Sequence, residues 1–164
     1  PAVEEDEREG GNLLRLETVL RPLAATEIYL TLTPTDIKNQ MLAQDGFSQW
    51  LGIEILDHRQ GYCKVGMTIR PEMLYGMHKA HGGITFSLAD SCFAFASNSH
   101  GRVAVSIEAS VNHIKALEVG DYITAETILD HPTNKLGYNV IEVRRGEELV
   151  ALFKGIVYRT QKDW

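Results

Sequence analysis

The sequence predicts an α+β domain in which an antiparallel sheet curls around one long central helix. Two short strand-like runs come first, an apolar segment follows at Gly82–Asn98, and four longer strand-like runs complete the chain. The apolar segment would carry hydrophobic residues on nearly every side of a helix, which is typical of a buried helix. A single buried helix between antiparallel strands favours a sheet that encloses it.

The six strand-like runs are separated by turn residues. Cys63, Val65, Met67 and Ile69 alternate with other residues, as in a half-buried strand, and Pro71 ends this run. Gly, Pro, Asn and Asp punctuate the other runs, which cover residues 52–57, 102–114, 121–130, 137–145 and 148–159. Short connections predict that strands adjacent in the chain are also neighbours in the sheet.

The region before the strands divides into two parts. Thr35 or Asp36 can cap a helix that carries Ile37 and Met41 on its apolar face and ends near Gly46. Residues 13–23 show roughly helical apolar spacing, residues 28–32 alternate like a short strand, and the first ten residues resemble a frayed acidic tail. We therefore divide the chain into an N-terminal extension, 1–34, and a domain, 35–164.

Two architectures fit one helix with six strands. A ferredoxin-like sandwich needs a second amphipathic helix between the later strands, and the sequence after Gly101 contains no such pattern. A sheet wrapped around the single helix is the arrangement of the hotdog fold, which is the fold class that we predict.

The composition indicates an ordinary cytoplasmic protein. The net charge is −6, and the first ten residues, with five acids and one arginine, account for −4 of it. The remainder lacks the basic surplus of nucleic-acid-binding proteins. No uncharged apolar stretch reaches the ~18 residues of a membrane span, and the acidic start is unlike a signal peptide. Cys63 and Cys92 lie in apolar runs and are expected to be reduced core thiols.

Asp90 is the most informative residue, because it lies in the middle of the predicted buried helix. Burying a carboxylate without partners costs several kcal/mol, and aspartate is a poor residue for a helix interior. Carboxylates in such surroundings are concentrated at functional sites. A purely structural interpretation places Asp90 on one solvated stripe of the helix with Ser87, Ser91 and Asn98.

The start of this helix reads His81-Gly82-Gly83. Two glycines allow a ligand to approach the backbone closely, and first-turn N–H groups of a helix have no intrahelical acceptor. Such groups can stabilise a carbonyl oxygen that gains negative charge. Gly82 and Asp90 are eight residues apart, about 12 Å along a helix axis. One chain cannot easily bring both to one carbonyl, so this spacing predicts a dimer with a site shared between two chains.

The motif HGGITFSLAD at 81–90, continued by FAFASN at 93–98, closely resembles the PaaI-type thioesterases of phenylacetic acid degradation. The resemblance extends through Gly120-Asp121 and VALFKG at 150–155, and it covers roughly residues 36–160. It implies a hotdog enzyme that hydrolyses acyl-CoA, commonly with aryl-acetyl or medium-chain acyl groups, as a dimer or a dimer of dimers. It implies no cofactor and no metal, since coenzyme A is part of the substrate.

The resemblance also implies roles for individual residues. The Gly82 N–H would bind the thioester carbonyl, and Asp90 would act as general base or nucleophile. Ser106 would orient the water, and His81 would support the loop. The remaining candidate contacts of the substrate are Gly83, Ser91, Tyr75 and Lys115.

One position departs from the family pattern. Many relatives carry an asparagine seven residues before the first glycine, where this chain has Tyr75. A tyrosine hydroxyl can also form hydrogen bonds, but its reach and bulk differ. Lys115 lies where relatives often place an arginine near the CoA phosphates, although an exposed lysine without a specific role fits equally well.

The other histidines and aromatic residues receive simpler interpretations. No metal-ligand spacing is visible among the surface or loop candidates His58, His78, His100, His113 and His131. Phe47 and Trp50 are expected to cover the end of the core.

Two other functions stay open beside hydrolysis. One is a non-catalytic acyl-CoA-binding protein, and the other is a hotdog dehydratase, although the helix has no histidine for it.

Overall fold

The computed structural model describes residues 32–164, which form two short helices, a six-stranded sheet and one long helix. The elements in chain order are α1 (Pro34–Gln44), α2 (Gly46–Leu51), β1 (Glu54–Arg59), β2 (Tyr62–Thr68), α3 (Gly82–Asn98), β3 (Arg102–His113), β4 (Tyr122–Pro132), β5 (Leu136–Arg145) and β6 (Glu148–Asp163). A 3₁₀ turn at Pro71–Met73 lies between β2 and α3. The patterns in residues 1–31 fall outside the described residues.

All strand pairs in the sheet are antiparallel, and the strand order is β1-β2-β4-β5-β6-β3. The expectation that neighbours in the chain are neighbours in the sheet is therefore wrong for β3. This strand pairs with β6 and not with β4, because residues 114–121 carry the chain from one edge of the sheet to its middle. The predicted hotdog fold is confirmed.

Helix α3 packs on the concave face of the sheet and supplies much of the core. Its buried apolar residues are Ile84, Leu88, Ala89, Cys92, Phe93, Phe95 and Ala96. The helix approaches β6 closely at Gly155, where a Cβ atom would lie 2.7 Å from the Phe93 ring. Glycine at this position lets the Phe93 ring pack against Phe153, at a centroid distance of 5.5 Å.

The alternation predicted for β2 is confirmed, since Cys63, Val65, Met67 and Ile69 are all buried. Both cysteines are free and buried, as expected. The Cys92 thiol donates a hydrogen bond to the Cys63 carbonyl oxygen at 3.2 Å. Burial raises the pKa of the Cys92 thiol, so it stays protonated in the core.

Helix α1 begins earlier than the sequence pattern indicated. Its N-cap is Thr33 rather than Thr35 or Asp36, and Pro34 is the first helical residue. The Thr33 hydroxyl accepts the Asp36 N–H, while the Asp36 carboxylate accepts the Thr33 N–H, which forms a capping box. The Thr33 hydroxyl also donates to the Asp36 carboxylate at 2.6 Å, and this bond, together with the one from the Thr33 N–H, lowers the pKa of the Asp36 carboxyl.

The prediction that Phe47 and Trp50 cover the core end is wrong. Both lie on α2, which the sequence pattern did not reveal, and 54% and 50% of their surfaces are exposed. Their rings stack on each other at 6.0 Å, and the Arg70 guanidinium lies 5.3 Å from the Trp50 ring. Leu51, on the same short helix, is the buried residue instead.

The C-terminal end of α3 is fixed by one buried amide. The Asn98 Nδ2 group donates to the carbonyl oxygens of Ala94 and Ala104, at 3.0 and 3.1 Å. Its Oδ1 atom accepts the Ala104 N–H at 2.9 Å and the Trp164 Nε1–H at 2.8 Å. Asn98 therefore joins the helix to β3 and to the chain terminus, and it is not part of a solvated stripe.

Within residues 32–164, no helix combines the length and the apolar character that a membrane crossing requires.

We expect Asn98→Ala to lower the free energy of unfolding by about 1–3 kcal/mol, because it leaves buried backbone groups of Ala104 without partners. Urea unfolding at one fixed protein concentration measures this loss. Asn112→Ala, at an exposed position of β3, is the matched control and should change stability little. Equal stability of the two variants would contradict the account of the helix end.

Candidate active site

The first turn of α3 leaves one backbone donor unoccupied. His81 is the N-cap, and its Nδ1 atom accepts the Gly83 N–H at 2.9 Å. The Ile84 N–H donates to the His81 carbonyl oxygen at 2.8 Å. Among the described residues, the Gly82 N–H has no acceptor. Of the free first-turn donors that the sequence predicts, Gly82 is therefore the one that the structure retains.

Gly82 borders a cavity of about 430 Å³ at the N-terminal end of α3. The lining residues come from the loop before the helix, from its first turn and from the segment after β3: Tyr75, Lys79, Ala80, His81, Gly82, Thr85, His113, Ile114, Lys115, Ala116 and Leu117. Backbone hydrogen bonds join these segments. The Ala80 N–H donates to Leu117 O at 2.9 Å, and the His81 N–H donates to Met73 O at 2.8 Å.

Tyr75, which stands where many relatives have an asparagine, lies on this cavity. It belongs to a tight loop in which the Tyr75 N–H donates to Lys79 O and the His78 N–H donates to Tyr75 O, both at 2.9 Å. The Tyr75 ring meets the His81 ring edge-on, with centroids 6.3 Å apart. Tyr75 therefore packs against the residue that caps the helix.

His113 is a cavity residue that the sequence interpretation missed. It is the last residue of β3, and its Nδ1 atom lies 3.1 Å from the Thr85 hydroxyl. The Thr85 hydroxyl also donates to Gly82 O at 2.9 Å. A Cβ atom on Gly82 would lie 2.8 Å from His113 Nε2, which explains why the first helical position is glycine. No sequence pattern indicated His113, because its contact with Thr85 on α3 depends on how β3 packs beside the helix.

Two lysines border the cavity, and both are close to acidic groups. Lys79 pairs with Glu118, and Lys115 Nζ lies 3.7 Å from Glu148 Oε1. Glu148 also accepts a hydrogen bond from Arg145 at 2.6 Å, which lowers the pKa of its carboxyl. The Lys115 contact is long and exposed, so this ammonium can exchange partners with a ligand.

Asp90 lies outside the cavity of its own chain. It shares a half-buried stripe of α3 with Ser87 and Ser91. Burial raises the pKa of the Asp90 carboxyl, and no described residue offsets this by donating a hydrogen bond. The helix is continuous between Gly82 and Asp90, so the two residues are separated by about 12 Å along its axis.

Two further candidates, Ser91 and Ser106, are not among the residues that line the Gly82 cavity. The Ser91 hydroxyl lies 2.9 Å from the Ser48 hydroxyl and joins α3 to α2. Ser106 is exposed on β3 and pairs with the buried Val157, so it belongs to the sheet face that packs on α3. The structure thus groups Tyr75, His81, Gly82 and Lys115 at one end of the helix and leaves Asp90, Ser91 and Ser106 apart. Gly83 is next to the cavity, with its N–H occupied.

Two of the four remaining histidines, His58 and His100, are less exposed than expected. His100 Nε2 lies 2.6 Å from Asp130 Oδ2, and both side chains are largely buried. His58 is half-buried on β1 with Nε2 3.3 Å from Phe95 O, and desolvation lowers its pKa. His78 and His131 are exposed, as predicted. Across residues 32–164, no group of three or more His, Cys, Asp and Glu could hold a metal ion.

Comparison with known proteins identifies the family of this chain. Residues 77–152 match the family model described as the thioesterase superfamily. The chain is 36% identical to the acyl-coenzyme A thioesterase PaaI of Escherichia coli over 120 residues, which cover 73% of this chain and 86% of that protein. The chain belongs to the PaaI-type hotdog thioesterases.

Two further comparisons support the assignment. A protein of Archaeoglobus fulgidus is 40% identical over 129 residues, which cover 78% of this chain and 84% of that protein. The structure of the E. coli PaaI protein superposes with a TM-score of 0.76 at 33% identity, covering 79% of this chain and 95% of that one. The predicted resemblance is confirmed, and the protein is a thioester hydrolase. Family membership favours hydrolysis over the dehydratase and the non-catalytic binder.

We expect Asp90→Asn to raise the melting temperature near neutral pH. The folded carboxyl has a higher pKa than the unfolded one, so the wild-type protein loses stability as pH rises through the interval between the two values. The amide carries no charge and avoids this loss. Below the unfolded pKa the carboxyl is neutral in both states, and the gain should vanish.

Thermal unfolding between pH 3 and pH 8 checks this pattern, with Asp163→Asn, at an exposed position, as control. If Asp90→Asn instead melted lower than wild type at neutral pH, the carboxylate would have a stabilising partner.

Proposed function

We propose that this thioesterase hydrolyses acyl-CoA to a free acid and coenzyme A, at a site that combines Gly82 of one chain with Asp90 of a second. One observation carries the proposal. The buried helix α3 presents an unoccupied N–H at a cavity and, two turns later, a half-buried carboxylate without hydrogen bonds from the described residues. The desolvated carboxylate costs stability, which a functional role explains, and the free N–H faces a space that a ligand can enter.

The Gly82 N–H provides the electrophilic half of the site. It lies at the positive end of the α3 dipole and is the donor that His81 leaves unoccupied. A thioester carbonyl oxygen that accepts this N–H would be stabilised as negative charge develops on it. The His113 ring prevents any larger residue at Gly82 without rearrangement, so the donor stays accessible.

Asp90 provides the second half, with two possible roles. As a general base it removes a proton from water, whose oxygen attacks the carbonyl carbon. As a nucleophile its own oxygen attacks, and water then hydrolyses the mixed anhydride. In both cases the C–S bond breaks, the electron pair leaves on sulfur, and the thiolate takes up a proton. Ser106, on the sheet face that packs on α3, would orient the water in this scheme.

The sharing of the site between two chains follows from the 12 Å separation along α3. Strand β3 offers the surface for pairing, since its only partner among the described strands is β6. Val105 and Ile107 on this edge are 48% and 58% exposed. A second copy joined at β3, with the helices antiparallel, would bring Asp90 toward the cavity of its partner. We propose a homodimer of this kind, assembled further as a dimer of dimers.

The cavity suits an anionic substrate with an extended arm. Lys79 and Lys115 supply positive charge for the CoA phosphates, and Tyr75 narrows the space beside His81. The relative from E. coli is named as an acyl-coenzyme A thioesterase, which supports the same substrate class. We propose an aryl-acetyl or medium-chain acyl group, with no cofactor or metal in the reaction.

We expect wild-type protein to release free thiol from phenylacetyl-CoA or a medium-chain acyl-CoA, and Asp90→Asn to lower kcat by about 10² to 10⁴. KM should change little, since the carboxylate acts in the transition state. Thiol release measured over an acyl-CoA panel, with Asp163→Asn as control, checks both values.

Two results would argue against this function. Near wild-type kcat for a folded Asp90→Asn variant would remove Asp90 from the mechanism. Equal kcat/KM for thioesters that lack the CoA moiety would show that the enzyme does not recognise CoA.

A further inference from the structure

The imidazole of His113 is the polar group of the cavity that the proposed mechanism leaves without a task. It lies on the cavity surface beside Gly82, on a different element from His81 and Tyr75. Its Nδ1 atom contacts the Thr85 hydroxyl, and its Nε2 atom forms no hydrogen bond with the rest of the described chain. The two nitrogens therefore have different surroundings.

The Thr85 hydroxyl determines which nitrogen carries the proton. This hydroxyl has one proton and donates it to Gly82 O at 2.9 Å, an atom that can only accept. The contact of 3.1 Å between Thr85 Oγ1 and His113 Nδ1 then requires Nδ1 to be the donor. In the neutral ring Nε2 consequently has a lone pair, which lies 2.8 Å from the position of a Cβ on Gly82.

Apart from the Tyr75 hydroxyl, which can both donate and accept, the other polar side chains of the cavity differ from His113 in this respect. Lys79 and Lys115 can only donate hydrogen bonds. His81 accepts the Gly83 N–H with Nδ1, so its other nitrogen is the donor in the neutral ring. The Gly82 N–H is a donor as well. The cavity therefore presents several donors to carbonyl and phosphate oxygens, and His113 Nε2 presents an acceptor next to the thioester position.

We propose that His113 is a substrate-specificity residue whose Nε2 atom accepts a hydrogen bond from an amide N–H in the pantetheine arm of the substrate. The inference rests on the proposed function, because it places the thioester at Gly82. A pantetheine arm carries amide N–H groups on the sulfur side of its phosphates, so one of them can reach His113 while the carbonyl of the thioester binds Gly82. An aliphatic thioester has no such donor.

The test compares two non-hydrolysable ligands, an S-alkyl pantetheine thioether and its counterpart with an ester oxygen in place of the amide N–H nearest to sulfur. Wild-type protein should bind the amide ligand about threefold to tenfold more tightly, the equivalent of one neutral hydrogen bond. His113→Asn keeps a donor near Nδ1 for Thr85 but lacks Nε2, and it should bind both ligands equally. Titration calorimetry measures the dissociation constants.

His113→Gln is the complementary variant, because its amide reaches the Nε2 position and gives up the contact with Thr85. It should retain part of the preference for the amide ligand while its melting temperature falls. A His113→Asn variant that still prefers the amide ligand as strongly as wild type would overturn the proposal. Because binding is measured without turnover, a chain that binds these ligands but fails to hydrolyse acyl-CoA contradicts the proposed function and still tests His113.

Discussion

The burial of helix α3 inside the curled sheet is the constraint on which the rest of the structure depends. The helix needs apolar residues on most of its sides, a glycine on β6 where Phe93 meets the strand, and a buried amide where it ends. Its N-terminus consequently opens at the edge of the sheet, where the loop before it and the segment after β3 form the walls of a cavity. The buried helix thus positions the free Gly82 N–H at the cavity.

The same burial gives the two functional groups opposite environments on one rigid element. The Gly82 N–H is at the positive end of the helix and next to a polar cavity, whereas Asp90 is half-buried and has no hydrogen bond from the described residues. A straight helix keeps these groups about 12 Å apart, and no side-chain rotation removes that distance. The catalytic unit that we propose is therefore a pair of helices from two chains, with the oxyanion donor and the carboxylate supplied by different copies.

Much of this arrangement could be predicted from the sequence because its causes are local. The apolar residues of α3 define its exact bounds, and Gly82 and Asp90 stand out since each conflicts with ordinary helix composition. The features that were missed depend on distant contacts. His113 contacts Thr85 across 28 positions of the chain, and β3 pairs with β6 although β4 follows it. The prediction for Phe47 and Trp50 is wrong because aromatic residues that stack on each other at the surface give the same apolar sequence pattern as buried residues.

Mixing two inactive variants tests the shared site most directly. Gly82→Pro, combined with His113→Ala to make room for the proline ring, removes the N–H at the first helical position, and Asp90→Asn removes the carboxylate. If each site uses Gly82 from one chain and Asp90 from the other, random exchange should restore about a quarter of the wild-type acyl-CoA hydrolysis, because half of the dimers would be mixed and each would contain one intact site. No recovery, in a sample where native mass spectrometry shows mixed dimers, would contradict a site shared between two chains.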